Sequence, residues 1–487
     1  MFALGHELAQ TSPHKFDLAY VRILLAALNN PEQRFPAVLI AGTNGKGSTA
    51  ATLASILGAA GLRMGLYTSP HLVRINERIR INGVAMPDDD FALLHDLVDR
   101  TAERLVEEGE LPWHPSFFEM LTAIAFEYFA QSKVQIAVLE VGMGGRLDAT
   151  NVVEPLVSVI TDISLDHQKF LGNTVAEIAR EKAGIIRRDG IVVTLPQQPH
   201  ANDVIGNAIL ELDARAVSAV PYVPPVSPAS TEYLVPSAER IKSAMGIENS
   251  AAHLSAAERR DSAAHGASRG PAFDNQQAAA GRQNSPKYGP ISRYPLQVMG
   301  KQILIETPLI GRHQLRNVAL AIAAAEELNK QGFPITPEAI ESGIRETRWP
   351  GRFQVVRSHG ETPECVFDVA HNPAGAWALR STLSTYYEDR PLTFIFGAMR
   401  DKAIGEMAEI LFPLADCIIV TRADNPRSAT FNEIRQAAAR VSTDIQPAED
   451  VADALARVQG LKPPAVVVIT GSIYIVGEAM RLLEVRV

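Results

Sequence analysis

A short glycine-rich stretch carries the strongest chemical signal in the chain. Residues 42–48 read Gly-Thr-Asn-Gly-Lys-Gly-Ser, between a predicted buried strand and a predicted helix. Backbone N–H groups of such a loop bind anions, Lys46 can reach terminal phosphates, and the hydroxyl of Ser48 can ligate Mg²⁺. The common phosphate-loop pattern is matched imperfectly, because Ile40 replaces its first glycine and Gly47 separates the lysine from the serine. The alternative is a glycine-rich turn with an exposed lysine, but the strand–loop–helix context favours a phosphate site.

Two further polar side chains follow predicted buried strands. Glu140 lies near the end of the run 135–142, and His167 follows the next run, 156–164. Neither run shows polar alternation, which is typical of a parallel sheet covered by helices, and such sheets bind ligands at their carboxyl edge. Carboxylate, hydroxyl and occasionally imidazole suit a hard cation that bridges nucleotide phosphates. Ser48, Glu140 and His167 are therefore candidate ligands of one metal site, although each alone also fits an ordinary structural position.

Three other residues have both a functional and an ordinary interpretation. Lys182 has apolar neighbours, and a buried lysine can be a nucleophile, but the pattern alone favours a lysine that offsets the dipole at a helix C-terminus. Asp368 ends a predicted strand before Ala-His-Asn-Pro, where it could bind a ribose hydroxyl, orient a cation or simply form a turn. Arg352 lies at a predicted hinge, where an arginine can follow a phosphate but is more often solvated.

The elements that must position these groups alternate short β-branched runs with helical ones. This alternation predicts an α/β fold, with a P-loop-type, mostly parallel sheet in residues 1–348. A linker at 349–353 then leads to a smaller Rossmann-like domain at 354–487. Residues 221–300 are rich in Pro, Ser, Ala, Gly and Asn but poor in large apolar side chains, so we expect a disordered or loose insertion there.

Composition limits the class of protein. The 487 residues are 46% hydrophobic and 21% charged, which fits two or three globular domains and excludes collagen and wholly disordered chains. Lys and Arg total 46 against 55 Asp and Glu, a formal net charge of -9 that would repel nucleic acid and anionic membranes. Cys365 and Cys417 lie too far apart for the usual zinc spacing. With no leader pattern or long apolar run, we expect a soluble, cytoplasmic protein.

Nine ordered motifs resemble those of the folylpolyglutamate synthase and dihydrofolate synthase family, within the Mur ligase superfamily. They include GTNGKGS at 42–48, TSPHLVRINERIRING at 68–83, LEVGMGGRLDATN at 139–151, WPGRF at 349–353 and DVAHNP at 368–373. The resemblance runs from about residue 15 to the C-terminus, apart from 221–300. Val369 departs from the glycine common in the family's last motif, and the 221–300 segment is longer than the usual connection.

The resemblance implies ATP-dependent amide formation between a carboxylate and the amino group of L-glutamate. The carboxylate would be phosphorylated first, and the amine would then displace phosphate. The acceptor would be dihydropteroate, a reduced folate that already carries glutamate, or both. Phe118 and Asp148 suit the bifunctional type.

The resemblance also implies roles for individual residues. Lys46, His167, Lys182 and Arg352 would be catalytic, with Lys182 carbamylated by CO₂. One Mg²⁺ would be held by Ser48 and Glu140, and a second by Glu140 and His167. ATP would contact Thr43, Asn44, Gly45, Lys46, Gly47, Ser48, Asn317, Arg352, Asp368 and His371. The pterin or folate pocket would be lined by Ser69, Pro70, His71, Phe118 and Asp148.

Two other functions remain open at this stage. A Mur-type ligase for UDP-linked precursors is disfavoured because only about forty residues precede the phosphate loop, too few for a UDP-binding domain. A nucleotide-gated ATPase switch would hydrolyse ATP without glutamate or a folate. We expect a monomer whose partners are small molecules (ATP, L-glutamate and a folate or dihydropteroate), not nucleic acid or membrane.

Overall fold

An eight-stranded sheet forms the centre of the first domain. The computed structural model describes residues 17–225, 290–357, 363–441 and 444–485. The strands are β1 (Ala37–Ala41), β2 (Met64–Tyr67), β3 (Ile79–Ile81), β4 (Val84–Ala85), β5 (Ile136–Glu140), β6 (Pro155–Ile160), β7 (Ile191–Thr194) and β8 (Arg215–Ser218). Their order is β4-β3-β2-β5-β1-β6-β7-β8; the pairs β2-β3 and β3-β4 are antiparallel, and all other pairs are parallel. The central strand β1 is buried at all five residues, as its unbroken apolar sequence predicts.

Helices cover both faces of this sheet. One face packs against α1 (Leu18–Ala27), α3 (Asp88–Glu107), α4 (Phe117–Gln131), α6 (Val175–Ala183) and α7 (Pro199–Glu211). The other packs against α2 (Lys46–Ala59), α8 (Arg312–Lys330), α9 (Pro337–Glu346) and a hairpin of β9 (Ser292–Val298) and β10 (Lys301–Thr307). A short helix, α5 (Gln168–Leu171), follows β6. The carboxyl ends of β1, β5 and β6 therefore open at one edge between the helix layers.

The second domain repeats this architecture on a smaller scale. Its strands are β11 (Gln354–Val356), β12 (Glu364–Phe367), β13 (Leu392–Phe396), β14 (Cys417–Val420), β15 (Ile445–Pro447) and β16 (Val466–Thr470), in the order β11-β12-β16-β13-β14-β15. All are parallel except β11. One face carries α10 (Pro373–Tyr386), α11 (Ile404–Leu411) and α12 (Phe431–Ala437), and the other α13 (Val451–Val458) and α14 (Ile473–Leu482). The two-domain α/β prediction is confirmed.

The predicted insertion at 221–300 is too long at its C-terminal end. Residues Ser292–Val298 form β9, which pairs along its whole length with β10. The strand was missed because it is only half buried, contains Pro295 and adjoins a low-complexity stretch, so composition outweighed its pattern. The remainder of the predicted insertion, 226–289, lies outside the described residues. Among the described helices, none combines the length and apolar character needed to cross a bilayer.

Candidate active site between the two domains

The glycine-rich stretch forms a tight loop between β1 and α2. Gly45 precedes α2 with φ +89°, and a Cβ there would lie 2.2 Å from Oδ1 of Asn317, so only glycine fits. The N–H groups of Thr43 and Asn44 donate to the carbonyl of Asp162 at 2.9 and 3.1 Å, which ties the loop to the strand end of β6. The side chain of Lys46 folds back over the loop, and its Nζ donates to the carbonyl oxygen of Gly42 at 3.1 Å. The loop thus joins a buried strand to a helix, as predicted, and the N–H groups of Thr43 and Asn44 are bonded to Asp162.

Glu140 lies buried at the end of β5, beside this loop. Its Oε2 accepts a hydrogen bond from the N–H of Ser69 at 3.1 Å. Burial raises the pKa of Glu140, and the charges of Lys46 and Arg352 oppose that rise. The carboxyl group is therefore close enough to Lys46 of the loop and Arg352 of the linker to be affected by their charges.

Ser48 supplies a second oxygen to the cavity that Glu140 lines. Its side chain is buried in the first turn of α2, and its Oγ has no hydrogen-bond partner among the described residues. A buried hydroxyl without a partner costs free energy, which a bound ligand would recover. The described ranges contain no group of three His, Cys, Asp or Glu side chains that would hold a metal by themselves. A hydroxyl and one carboxylate nevertheless fit Mg²⁺, which usually takes its other ligands from phosphates and water.

His167 has a left-handed backbone, φ +49°, directly before α5. Burial is the main cause that lowers the pKa of His167 to about 4; Asp166 opposes the shift, and the charges of Lys402, His371 and Lys46 contribute to it. The imidazole is therefore neutral at physiological pH and has a free electron pair for a ligand. It lines the same cavity as Lys46, Ser48 and Glu140, as the strand-end argument predicts.

Lys182 lies in the last turn of α6, as its sequence pattern predicts, but its side chain is buried. A capping box between Thr174 and Glu177 begins α6 and sets the helix face that turns inward. The Nζ of Lys182 donates to the carbonyl of Gly42 at 2.8 Å. Burial lowers the pKa of Lys182 to about 7, with a further contribution from Lys46. A large fraction of the amine is therefore unprotonated near neutral pH.

The linker and the second domain complete the cavity. Arg352 is partly buried rather than solvated, and burial lowers its pKa while Asp368 and Glu140 oppose the change. Asp368 accepts from the N–H groups of Ala370 and Phe353, each at 2.9 Å. The bond from Ala370 forms a turn, which is one of the roles that the sequence left open for Asp368. Asp368 therefore shapes its own loop and is also close to Arg352. Burial raises the pKa of Asp368, against the charge of Arg352.

This first cavity has a volume of about 460 Å³. It is lined by every residue that the sequence assigned to ATP: Thr43, Asn44, Gly45, Lys46, Gly47, Ser48, Asn317, Arg352, Asp368 and His371. Glu140, His167 and Lys182 line it as well. Residues from distant parts of the chain therefore meet in one space between the domains.

A second cavity of about 560 Å³ adjoins the first. Ser69, Pro70, Phe118 and Asp148 line it, and the ring of Phe118 packs so closely over Gly142 that a Cβ there would lie 2.5 Å away. Burial raises the pKa of Asp148, although the hydroxyl and N–H of Thr150 and other backbone N–H groups hold its carboxyl. The two cavities share wall residues, including His167, Arg352 and His371.

His71 is the one predicted pocket residue that lines neither cavity. It is buried behind the wall, where its Nδ1 accepts from the Nε of Arg78 at 2.9 Å. Burial, together with the charge of Arg78, lowers the pKa of His71 to about 3. Arg78 itself lines the second cavity, so His71 contacts a residue of the cavity wall without lining the cavity.

The sequence analysis missed Asp166 and Lys402. The carboxylate of Asp166 contacts side chains of the second domain, with Oδ1 2.7 Å from the Nζ of Lys402. Burial opposes ionisation of Asp166, but the hydrogen bond to His371 and the charges of His167 and Lys402 hold its pKa far below the ordinary value. The position of Asp166 directly before His167 was a usable signal, whereas nothing local distinguished the lysine.

The similarity of this chain to known proteins defines the class of its second domain and the family of the whole chain. The family described as Mur ligase, glutamate ligase domain, matches residues 351–473, so the second domain is of the Mur ligase type. The chain is 34% identical to the dihydrofolate synthase/folylpolyglutamate synthase of Bacillus subtilis (strain 168) over 472 residues, 96% of this chain and 95% of that protein. The chain therefore belongs to the dihydrofolate synthase/folylpolyglutamate synthase family, which confirms the resemblance.

Solved structures agree with this assignment. The folylpolyglutamate synthase of Mycobacterium tuberculosis, complexed with ADP and AMPPCP, superposes with a TM-score of 0.77 at 30% identity, covering 97% of this chain and 96% of that one. A solved complex of FPGS with AMPPCP and folate superposes with a TM-score of 0.70 at 29% identity, covering 97% and 96%. Both domains therefore have the fold of this family.

Proposed function

We propose that the protein is an ATP-dependent ligase that joins L-glutamate to dihydropteroate, to the terminal γ-carboxylate of reduced folates, or to both. An acyl phosphate is the intermediate, and ADP and phosphate are released. One observation carries the proposal: the phosphate-loop cavity and the second cavity share His167, Arg352 and His371 in their walls. A terminal phosphate in one space and a carboxylate in the other can therefore meet.

ATP is the co-substrate in this proposal. The phosphate-loop N–H groups and Lys46 bind the phosphates, while Asn317, Asp368 and His371 complete the nucleotide site. Ser48 and Glu140 would hold one Mg²⁺, and Glu140 with His167 a second; the metal would neutralise charge on the phosphate oxygens. The partnerless hydroxyl of Ser48 and the neutral imidazole of His167 support this assignment.

The chemical steps follow from the weakness of a carboxylate as an electrophile. Its oxygen attacks the γ-phosphorus, the bond to the ADP oxygen breaks, and the carboxylate becomes an acyl phosphate. Lys46 and Arg352 stabilise the charge that spreads over the phosphoryl oxygens during transfer. The amine of glutamate then attacks the acyl carbon, phosphate leaves, and the amine loses a proton as the amide forms.

Lys182 is proposed to carry a carbamate. CO₂ reacts only with an unprotonated amine, and the lowered pKa of Lys182 supplies that form near neutral pH. The product is an anion, which the charge of the neighbouring Lys46 stabilises. Incubation with ¹³CO₂ should give a carbamate NMR signal that is missing in Lys182→Met.

The second cavity is the proposed pterin or folate site. Phe118 offers an aromatic face, Asp148 a buried carboxyl group, and Ser69 and Pro70 part of the wall. Its volume of about 560 Å³ lies within the usual range for a small-molecule pocket. His71 is proposed to hold Arg78 in place. The site suits a bifunctional enzyme, which accepts both dihydropteroate and folates.

The domain arrangement serves the unstable intermediate. We propose 1–348 and 354–487 as two domains joined by the linker 349–353, whose closure keeps water from the acyl phosphate. We further propose that the protein is a monomer and that it is cytoplasmic, where ATP is abundant.

One assay tests the proposal. ADP release is measured with dihydropteroate or tetrahydrofolate and with L-glutamate, each alone and in combination. The ligase requires ATP, glutamate and one acceptor together, with amide product equal to ADP. Equal ADP release without glutamate and without an acceptor would instead identify an ATPase switch.

A further inference from the structure

Asp166 joins the two domains through one buried carboxylate. Its Oδ1 lies 2.7 Å from the Nζ of Lys402, and both side chains are 9% exposed. Its Oδ2 accepts from the Nδ2 of Asn372 at 3.3 Å and lies 3.6 Å from the Nε2 of His371. The three partners belong to the second domain, so this carboxylate is a point of attachment between the domains.

The two sides of the ion pair are held firmly by their own loops. In the first domain, Oδ1 of Asp166 also accepts from the backbone N–H of His167 at 2.8 Å. In the second domain, Lys402 lies between β13 and α11, and its backbone N–H donates to the carbonyl of Met399 at 3.1 Å. A shift of the second domain would therefore act directly on the loop that presents His167.

The same region reaches the phosphate loop. The Nδ2 of Asn372 also donates to Oδ1 of Asn44, at 3.0 Å. The Oδ1 of Asn372 accepts from the N–H of Gly375 at 2.8 Å and thereby caps α10. The first turn of a second-domain helix is thus connected to both the phosphate loop and Asp166.

A buried ion pair gains little net stability, because both charges lose their hydration. Such a pair is better explained by geometry, since one arrangement satisfies it and others leave a buried charge alone. We propose that Lys402 is a positioning residue for the ligase reaction: by pairing with Asp166 it fixes the second domain against the loop that carries His167. This inference rests on the proposed function and adds the contact that sets the closed geometry of the site.

A competing role is direct substrate binding, because Lys402 also lines the larger cavity. The test compares Lys402→Met, which removes the charge, with Lys402→Arg, which keeps it. The control is Arg400→Met, which breaks an exposed ion pair of the same loop with Glu433, inside the second domain. Small-angle X-ray scattering with AMPPCP and folate measures closure, and steady-state kinetics give kcat and KM for each of the three substrates.

We expect Lys402→Met to enlarge the radius of gyration of the ligand-bound enzyme. Its kcat should fall about 100-fold, the loss that a misplacement of about 1 Å causes, with small changes in all three KM values. Lys402→Arg should recover most of the kcat and the compact form, and Arg400→Met should match the wild type.

Two results would overturn the positioning role. A rise in the KM for glutamate alone, with unchanged scattering, would make Lys402 a substrate ligand. A lower melting temperature with unchanged kcat and scattering would make the pair merely structural. Because scattering needs no turnover, failure of the proposed ligase activity leaves this comparison intact.

Discussion

The buried amine of Lys182 makes the stability of the protein depend on pH. In the folded chain its Nζ lies 2.8 Å from the carbonyl of Gly42, and burial lowers the pKa of Lys182 to about 7 from 10.5. Between these two values the unfolded chain holds a proton that the folded chain has released. Stability must therefore rise with pH across this window. The contribution is complete above pH 10.5 and is lost as the pH falls through 7.

Replacing Lys182 by methionine measures how much this amine contributes to the unfolding free energy, because Met fills similar space and does not titrate. One pKa unit corresponds to about 1.4 kcal/mol, and the slope is half of that at the folded pKa. From pH 7 to pH 9, wild type should gain about 2 kcal/mol of unfolding free energy relative to Lys182→Met. At or below pH 7 the methionine variant should be the more stable protein, because it buries no charge.

The assay is urea unfolding followed by circular dichroism at several pH values, in buffers freed of CO₂ so that no carbamate forms. Lys462→Met is the matched control, because this lysine is exposed and should show no pH-dependent difference from wild type. Parallel stability profiles for wild type and Lys182→Met between pH 7 and pH 9 would refute the reasoning, as would a difference of opposite sign.

The remaining predictions concern the phosphate loop and the contact between the domains. Lys46→Ala should abolish ADP release while circular dichroism stays unchanged, and release at the wild-type rate would contradict its role. A Cβ on Gly47 would lie 2.8 Å from the ring of Trp349, so Gly47→Ala should lower kcat. Adding Trp349→Ala should restore part of the lost kcat. If it does not, the contact with Trp349 is not the cause of the loss. A Cβ on Gly477 would lie 2.0 Å from the carbonyl oxygen of Leu72, so Gly477→Ala should cost about 1–3 kcal/mol, measured by urea unfolding, and full stability would contradict the close packing.

The local sequence pattern was sufficient to predict where the polar side chains that follow buried strands lie. The apolar runs at 37–41 and 135–142 lack alternation, so they had to be buried strands of a parallel sheet. The carboxyl ends of such strands share an edge, and this rule alone brought Glu140 and His167 to the phosphate loop. Their distance in sequence was no obstacle, because topology rather than local contact sets their neighbourhood.

The local sequence pattern could not predict which polar side chains are buried or which of them pair across the two domains. A lysine in the last turn of a helix fits both a solvated position and a buried one, so the orientation of α6 had to be known before Lys182 could be assigned. Asp166 and Lys402 are 236 residues apart, and their pairing depends on how two separately folded domains dock. His71 shows the same limit, since its motif indicated a pocket wall but its ring lies behind Arg78.

The two domains make different contributions to the proposed ligase reaction. The first domain holds the phosphate loop, Glu140 and His167, which we propose bind the phosphates of the nucleotide, while Asp368 and His371 of the second domain complete that cavity. An acyl phosphate, however, is lost to water unless the amine reaches it first. Two contacts join the domains: Asp166, which precedes His167, pairs with Lys402, and Gly477 packs against the carbonyl group of Leu72. We therefore expect one closure of the domains to couple phosphoryl transfer to amide formation, because a geometry that aligns the phosphate also excludes the water that would hydrolyse the acyl phosphate.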